Sequence, residues 1–279
     1  AQTLGLLASL QAEPVAGIDE LIPGARTLLI RFDPLVLARA DLVEQVGRRP
    51  QDLSESRPGE RIEIPVHYDG EDLAEVAGLL KLTPDEVVRR HTGGDWFVAF
   101  TGFAPGFAYL SGGDASLGVP RRKSPRTRIP PGAVALAGGF SGVYPKASPG
   151  GWQLIGQTFT PMWDLGRDPP ALLQPGQRVR FVDAGPRPAG AGETRAGGAA
   201  AGGSRGGSGC GSGGGGRGDG GGDGDAALEI RTPGLQAVLQ DLGRPGQAGQ
   251  GVAASGAMDR GALRLANRLV GNGGDSACI

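Results

Sequence analysis

A cationic segment at residues 120–130, PRRKSPRTRIP, carries side chains that could do chemistry. Its guanidinium groups belong to Arg121, Arg122, Arg126 and Arg128, and its prolines hold the chain extended. Side chains two residues apart share one face of an extended chain, so Arg126 and Arg128 point the same way. Paired guanidinium forks suit a carboxylate or a phosphate, which predicts a site for a small acidic ligand. A charge run is more often a solvated face, and that alternative stays open.

A ring-rich segment, GFAPGFAYL at residues 102–110, precedes the arginines. Pro105 stiffens the backbone and Gly106 relaxes it, so this chain can come close to a ligand. The rings that it would present are Phe103, Phe107 and Tyr109. A shallow aromatic pocket beside an arginine loop suits a small planar amide that carries a carboxylate. In a barrel strand, however, such rings more often belong to the core.

Short strands and tight turns must position these groups. From Phe100 to Gly156, glycines and prolines recur too often for a helix of ordinary length. Apolar pieces such as residues 134–137 and 152–155 are strand-like. This pattern is typical of a small, closed or nearly closed antiparallel sheet, in which each turn reverses the chain within a few residues. The sequence predicts an α+β, mainly β fold around a β-barrel.

Shifts in composition predict the domain organisation. Residues 1–48 alternate helix and strand patterns as part of a small α/β sandwich, and residues 61–184 hold the barrel. Residues 185–226 are nearly all glycine, alanine and serine, which predicts a disordered, flexible linker. A structured pattern returns at residues 227–279.

Several local patterns predict particular elements. Asp33 and Pro34 indicate a helix start, with the helix continuing to about Val46. Strands are expected at residues 157–164, 227–232 and 236–239, and a helix at 259–270.

A capping box, Thr83-Pro-Asp-Glu86, predicts a helix that runs to about His91. Threonine is the cap, and Glu86 can reach back to it. His91 then lies in the last turn, where the helix dipole favours a cation. A charge at the helix end is the simpler interpretation of this histidine, and a role in the site is the other.

Composition excludes some functions. The chain of 279 residues has a formal net charge of −1 and lacks the basic surface of a nucleic-acid binder outside the arginine segment. Cys210 and Cys278 form no CxxC motif or disulfide framework, so we expect a cytoplasmic protein. No apolar stretch reaches the roughly 18 residues of a membrane span, and the missing initial methionine suggests a fragment.

Four motifs, in order and correctly spaced, carry a family resemblance. They are GFAPGFAYL, VPRRKSPRTRIPPGAVALAGG, GVYP and SPGGWQLIG. They closely resemble the B subunit of the bacterial ATP-dependent 5-oxoprolinase complex, also labelled allophanate hydrolase subunit 1 or the kinase-inhibitor family and related to a carboxyltransferase domain of urea carboxylase. The resemblance implies a cyclophilin-like β-barrel for about residues 62–182. It also implies that the N-terminal α/β domain is incomplete and lacks its opening strand.

The resemblance further implies an activity. Such a complex uses ATP to activate 5-oxo-L-proline, a lactam, and opens it to L-glutamate with the help of a separate A subunit. ATP enters by resemblance alone, because the chain has no GxxxxGK[ST] loop, and no metal is expected. The catalytic candidates are Arg121, Arg122, Arg126, Tyr109 and His91. The substrate-binding candidates are Phe103, Pro105, Gly106, Phe107, Gly138, Gly139 and Tyr144.

A second resemblance covers residues 227–279. The run GLQAVLQDLGRPGQAGQGVAASGAMDRGALRLANRLVGN is similar to the start of the C subunit of the same complex, also labelled allophanate hydrolase subunit 2. It implies the beginning of a second cyclophilin-like domain. The partners that it implies are the remainder of the C subunit, and a protein like the A subunit. The candidate site residues here are Gln240, Asp241, Arg244 and Asp259.

Two alternatives from other classes stay open. The barrel could be a carboxyltransferase-type domain of a urea carboxylase or allophanate hydrolase (urea amidolyase) system, although the chain has no AMKM-like biotin site and no Ser-Ser-Lys amidase pattern. It could also be a non-catalytic module that inhibits a sensor histidine kinase. Phe140, Ser141 and Gln157 depart from the commoner family pattern and put a direct role of the loop that follows Gly139 in doubt.

Overall fold

Helices and short strands alternate along the described part of the chain. The structure is a computed structural model that describes residues 2–50, 61–187 and 238–278. The predicted α+β fold with a nearly closed barrel is confirmed. Nearly all of the predicted linker, the strand expected at 227–232 and half of that expected at 236–239 lie outside the described residues.

The N-terminal unit consists of two helices and a β-hairpin. Its elements are α1 (Gln2–Ala12), β1 (Ile18–Pro23), β2 (Leu28–Phe32) and α2 (Arg39–Gly47). Leucines spaced by three residues give α1 its apolar face, and Leu4, Leu7 and Leu10 are buried. β1 and β2 pair antiparallel, with Pro23 at the turn-proximal end of the ladder.

The helix predicted from Asp33 begins later, at Arg39, and that prediction is wrong at its start. The Asp33 carboxylate accepts a hydrogen bond from the Leu35 N–H (2.8 Å), and its carbonyl accepts one from the Leu37 N–H (3.0 Å). Asp33 therefore closes a turn before the helix. An aspartate before a proline is compatible with a turn and with a helix cap alike. Because Asp33 closes the turn here, it does not cap the helix that follows.

The barrel contains the larger sheet. The strands of this sheet are β3 (Arg61–Val66), β4 (Trp96–Thr101), β5 (Ala108–Ser111), β7 (Ala133–Ala137), β8 (Phe140–Val143), β10 (Gln153–Gln157) and β11 (Arg178–Asp183). A separate pair consists of β6 (Arg126–Ile129) and β9 (Ser148–Gly150). The 7-stranded sheet has the order β10-β7-β8-β5-β4-β11-β3, and β6 pairs with β9 apart from it. The strand predicted at residues 157–164 is wrong, because β10 ends at Gln157.

A backbone bridge nearly closes the barrel. His67 follows β3 and Gln157 ends β10, the two outer strands, and each backbone N–H donates to the other residue's carbonyl at 2.8 Å. The predicted antiparallel pairing holds for the other ladders of the sheet, but β11 pairs parallel with β3. A parallel pair needs a long crossover, and here the rest of the barrel forms it.

Two helices cover one side of the barrel and complete its main core. They are α3 (Leu73–Leu80) and α4 (Pro84–Gly93). Thr83 caps α4 by accepting a hydrogen bond from the Glu86 N–H (3.2 Å), as predicted. The Glu86 carboxylate does not return to the cap, because it accepts hydrogen bonds from Arg89 and Arg90 instead.

The C-terminal described segment has one helix, α5 (Arg260–Leu269), which Asp259 caps through the Ala262 N–H (2.8 Å). A 3-10 turn at Ala248–Gln250 precedes it. Gln240 and Cys278 form an isolated antiparallel bridge, so the two ends of this segment meet. Each helix that the structure describes is too short or too polar to span a lipid bilayer.

Candidate functional site

The loop at residues 102–107, which we call the signature loop, joins β4 to β5 through a tight turn. The Phe107 N–H donates to the Ala104 carbonyl (2.9 Å), and the Ala104 N–H donates to the Gly102 carbonyl (2.8 Å). Phe103 adopts φ +69°, which is uncommon for a residue with a side chain. Its ring is 58% exposed, so the loop holds an aromatic ring towards solvent at the cost of a sparsely populated backbone conformation.

Aromatic rings pack around this loop as one group, which we call the ring cluster. Its members are Phe100, Phe103, Phe107, Tyr109, Phe140, Tyr144 and Trp152. Phe107 is 1% exposed, and its ring lies edge to face with those of Phe103 (5.3 Å), Tyr109 (5.0 Å) and Tyr144 (5.2 Å). Edge-to-face pairs at these separations stabilise a fixed arrangement of rings. The structure thus brings Phe103, Phe107, Tyr109 and Tyr144 together in one group of packed rings.

Both tyrosine hydroxyls of the ring cluster stay protonated at neutral pH. Burial raises the pKa of Tyr109, against the lowering effect of the Arg121 charge. Burial, reinforced by Tyr109, raises the pKa of Tyr144 to about 12, again against the charge of Arg121. Tyr109 is only partly buried, so its hydroxyl can donate a hydrogen bond to a ligand carbonyl, whereas Tyr144 is 2% exposed and packs in the core.

Two of the predicted arginines bind a carboxylate of their own chain. Asp72, which precedes α3 and is 2% exposed, accepts hydrogen bonds from Arg122 Nη1 (2.7 Å) and from Arg126 Nη1 (2.9 Å) and Nη2 (2.8 Å). It also accepts one from the Leu154 N–H (2.7 Å). Arg126 makes the fork contact that the sequence predicted, but Asp72 supplies the carboxylate. These two guanidinium groups fix the arginine segment to α3 and β10.

Arg121 differs from its neighbours. It is exposed, and it has no hydrogen-bond or ion-pair partner among the described residues. Its charge opposes the rise in the pKa of Tyr109 and of Tyr144, two members of the ring cluster. Of the three arginine candidates, Arg121 is the one whose guanidinium group is available to an anionic ligand.

A two-residue turn at Gly138 and Gly139 lies next to the arginine segment. Val119 and Gly138 exchange both backbone hydrogen bonds, with N···O distances of 3.2 and 2.6 Å. Gly138 has φ +57°, as hairpin turns with glycine at the first central position require. A Cβ atom on either glycine would meet nothing within 4 Å, so this backbone is open to a ligand. Pro105 and Gly106 instead form the turn of the signature loop, and Gly106 is buried.

His91 lies in the barrel core, and the interpretation as a charged helix end is wrong. Burial lowers its pKa to about 3, so the ring is neutral. Hydrogen bonds join its Nδ1 to Tyr68 Oη (2.7 Å) and its Nε2 to Ser141 Oγ (2.8 Å), and the ring stacks on Phe181. None of these partners belongs to the ring cluster or to the arginine segment. The structure gives His91 a role in the packing of the core.

The candidates from the C-terminal segment serve its own local structure. Asp241 Oδ1 accepts the Gly243 N–H (2.7 Å), the Arg244 N–H donates to the Ala254 carbonyl (2.7 Å), and Gln240 bridges Cys278. The residues of this segment that contact the barrel, Ala248 and Gln250, are not among the candidates that the sequence indicated. Thr101 Oγ1 donates to the Ala248 carbonyl (2.7 Å), and the Gly106 N–H donates to the Gln250 carbonyl (2.9 Å).

Two clefts lie away from the ring cluster. One has a volume of about 510 Å³ between the ends of β3 and β11 and helix α4, and its lining includes Tyr68, Asp85 and Asp183. The other, of about 420 Å³, lies between the N-terminal unit and the turn at Gly246. Within the described ranges, no three His, Cys, Asp or Glu side chains come together as a set that could hold a metal ion.

The barrel and its preceding α/β unit define the class of protein. A family model described as carboxyltransferase domain, subdomain C and D, matches residues 1–173, and the chain belongs to that family. A second model, carboxyltransferase domain, subdomain A and B, matches residues 250–279.

The curated relatives are more specific. The chain is 38% identical over 192 residues to the B subunit of 5-oxoprolinase from Bacillus subtilis (strain 168), covering 63% of this chain and 79% of that protein. It is 44% identical over 170 residues to the B subunit of 5-oxoprolinase from Escherichia coli O157:H7, covering 59% and 78%. These relatives confirm the family resemblance that the motifs indicated.

A solved structure extends the likeness to the C-terminal segment. The crystal structure of TTHA0988 superposes with a TM-score of 0.70 at 34% identity and covers 99% of this chain. The chain spans 51% of the length of that protein. The fold therefore matches a longer protein along almost the whole of this chain.

Proposed function

We propose that this chain is a component of an ATP-dependent 5-oxoprolinase and that Arg121 and the ring cluster bind the lactam substrate. The relatives, which are named as the B subunit of 5-oxoprolinase, support the reaction. The observation that carries the site is the availability of Arg121, whose neighbours Arg122 and Arg126 are both held by Asp72. The proposed partners are the remainder of a domain like the C subunit, and a protein like the A subunit.

The substrate in this proposal is a flat five-membered lactam with one carboxylate. The Arg121 guanidinium group would bind that carboxylate through charge-assisted hydrogen bonds, which are stronger than neutral ones. The exposed ring of Phe103 offers an apolar face for the lactam ring. The Tyr109 hydroxyl is protonated, so it can donate to the lactam carbonyl and favour attack at that carbon.

The reaction adds one water across the lactam C–N bond and yields glutamate. Hydrolysis of ATP to ADP and phosphate, which consumes a second water, would supply the driving force in the complex. The residues of this chain do not fit a nucleotide through a known phosphate loop, because no GxxxxGK[ST] sequence occurs. We therefore assign this chain the binding and orientation of the substrate.

Substitution of single arginines tests the proposal. The assay measures ATP-dependent glutamate formation from 5-oxoproline by the full chain together with a protein like the A subunit. Arg121→Ala removes the hydrogen bonds to the substrate carboxylate, which at this exposed position should together contribute about 1.5–3 kcal/mol, so kcat/KM should fall by about 10- to 150-fold. Arg121→Lys should retain part of the activity, since it keeps the charge and loses the fork.

Arg128→Ala is the matched control. Arg128 is an exposed arginine of the same segment, on β6, and its loss should leave kcat/KM unchanged. Equal effects of the two alanine variants would contradict the assignment of Arg121. No glutamate formation by the unaltered proteins would contradict the proposed reaction itself.

Carboxyl transfer is a second candidate, favoured by the description of the family models that match this chain. That reaction needs a biotinyl protein supplied in trans, because the chain has no AMKM-like biotin site. Carboxyl transfer that depends on an added biotinyl protein, in the absence of lactam opening, would favour this candidate.

A further inference from the structure

A glycine-rich turn at residues 246–251, which we call the bridging turn, contacts both units that precede it. The Gly246 N–H donates to Glu20 Oε1 (2.9 Å) on β1, and Glu20 also binds Arg31 (2.8 Å). Thr101 Oγ1, at the end of β4, donates to the Ala248 carbonyl (2.7 Å). The bridging turn therefore joins the N-terminal unit to the strand from which the signature loop begins.

The bridging turn also contacts the signature loop itself. The Gly106 N–H donates to the Gln250 carbonyl (2.9 Å), and the Gln250 side chain accepts from the Ala171 N–H (3.4 Å). Gly106 has φ +80° and a buried backbone, so this N–H would lack a partner without the Gln250 carbonyl. The loop and the turn thus satisfy each other's backbone groups.

Gly251 sets how closely the two segments approach. A Cβ atom at this position would lie 2.6 Å from the Ala104 carbonyl oxygen and 3.4 Å from the Gly102 nitrogen, and its φ is +75°. Glycine is therefore required on both steric and conformational grounds. Gly249 in the same turn is different, because its nearest neighbour would be Gln174 Oε1 at 3.9 Å.

These contacts lie on both sides, in sequence, of the loop residue whose backbone conformation is the least populated for a residue with a side chain. Phe103, at φ +69°, lies between Gly102 and Ala104, the two residues that Gly251 approaches. Such a conformation persists only where its surroundings fix it, and it is common where a protein holds a ligand. Within the barrel, the fixing contacts are the rings of Phe107 (5.3 Å) and Tyr144 (6.1 Å), and the bridging turn adds the hydrogen bond from the Gly106 N–H to the Gln250 carbonyl (2.9 Å).

We propose that the bridging turn is a positioning element, in which Gly251 and the Gln250 carbonyl hold the signature loop in the conformation that presents the Phe103 ring. The segment that begins the subdomain A and B match therefore acts on the site through its backbone. The claim that Phe103 then meets a ligand rests on the proposed function. The conformational claim does not.

Hydrogen exchange of the full chain, followed by mass spectrometry of peptides that cover residues 102–107, tests the conformational claim without substrate. Gly251→Ala should accelerate exchange there by about five- to tenfold, as expected for the loss of one backbone hydrogen bond. Gly249→Ala is the matched control and should match the unaltered protein. Equal exchange in both variants overturns the proposal.

Thr101 supplies a second, milder pair of variants. Thr101→Val removes the hydroxyl that donates to Ala248 and keeps the shape of the side chain, so exchange in residues 102–107 should again rise. Thr101→Ser keeps the donor and should restore protection. Equal acceleration by both, or by neither, overturns the proposal.

The assay with 5-oxoproline separates this inference from the proposed function. In an active complex, Gly251→Ala should raise KM more than it lowers kcat, because it displaces a binding group. If the complex shows no such activity while exchange still responds to Gly251→Ala, the proposed function fails and the positioning role stands.

Discussion

Substitution of Asp72 by asparagine should destabilise the barrel strongly. The carboxylate is almost fully buried and accepts hydrogen bonds from both guanidinium groups and from one backbone N–H. Removing one member of a buried ion pair costs about 3–5 kcal/mol. The side chains of Arg122 and Arg126 are 28% and 18% exposed, so water can solvate them in part and the lower end applies. We expect Asp72→Asn to lower the free energy of unfolding by about 3 kcal/mol.

The effect should depend on pH in a defined direction. Burial raises the pKa of Asp72, but the hydrogen bonds from Arg126 and the Leu154 N–H and the charges of both arginines outweigh it and leave the pKa lowered. A carboxylate with a lowered folded pKa stabilises the native state above its unfolded pKa, about 3.9, and this contribution is lost as pH falls through the folded value. The difference between the native protein and Asp72→Asn should be constant above about pH 5 and shrink below about pH 4.

Urea unfolding followed by tryptophan fluorescence measures both effects. With a slope of about 2 kcal/mol per molar urea, the midpoint should fall by about 1.5 M at pH 7. Glu71→Gln is the matched control, because Glu71 also binds Arg126 (3.0 Å) but its side chain is 75% exposed. That pair should contribute less than about 1 kcal/mol. If Asp72→Asn costs no more than Glu71→Gln, or if the difference does not change down to pH 3, the reasoning is refuted.

Three further predictions concern a close backbone contact, a helix and a buried histidine. Gly70→Ala should cost about 2–3 kcal/mol in urea unfolding, because a Cβ atom there would lie 2.4 Å from the Leu154 carbonyl oxygen. Gly78→Ala, on the exposed side of α3 where a Cβ atom meets nothing within 4 Å, should instead stabilise by about 0.5–1 kcal/mol, and destabilisation there would contradict the helix assignment. Because burial lowers the pKa of His91 to about 3, native stability should fall as pH drops from about 6.5 towards that value. Ring proton resonances of His91 that titrate near pH 6.5 would disprove its burial as a neutral ring.

Local interactions made part of the fold predictable. The Thr83 cap depends on residues within one helical turn, so the sequence alone predicts it. Asp33 was misassigned because aspartate before proline favours a turn and a helix cap alike, and tertiary packing decides between them. Phe103, Phe107 and Tyr109 lie close together in sequence, so a local pattern indicated them as one group, whereas Phe140 and Trp152 join the ring cluster from later in the chain.

Long-range pairing made the rest unpredictable. Asp72 lies 50 residues from Arg122, and no local pattern shows that one carboxylate would take two of the three candidate arginines. His91 carries the signal of a charged helix end, and only the fold reveals that the barrel core encloses it. The contact of Gln250 with Gly106 crosses the whole glycine-rich region. In the sequence this contact is marked only by the glycine at position 251, and one glycine in a glycine-rich chain carries little information.

The pairing of the first barrel strand with the last has a consequence for biosynthesis. β3 leaves the ribosome early, but its parallel neighbour β11 emerges only after the rest of the barrel. Until then β4 and β3 both present unpaired edges, which are templates for pairing with other chains. A nascent chain that stalls before Arg178 has emerged should therefore aggregate or recruit chaperones. Once residues up to Asp183 have emerged, β11 can pair with both β3 and β4 and the barrel can close.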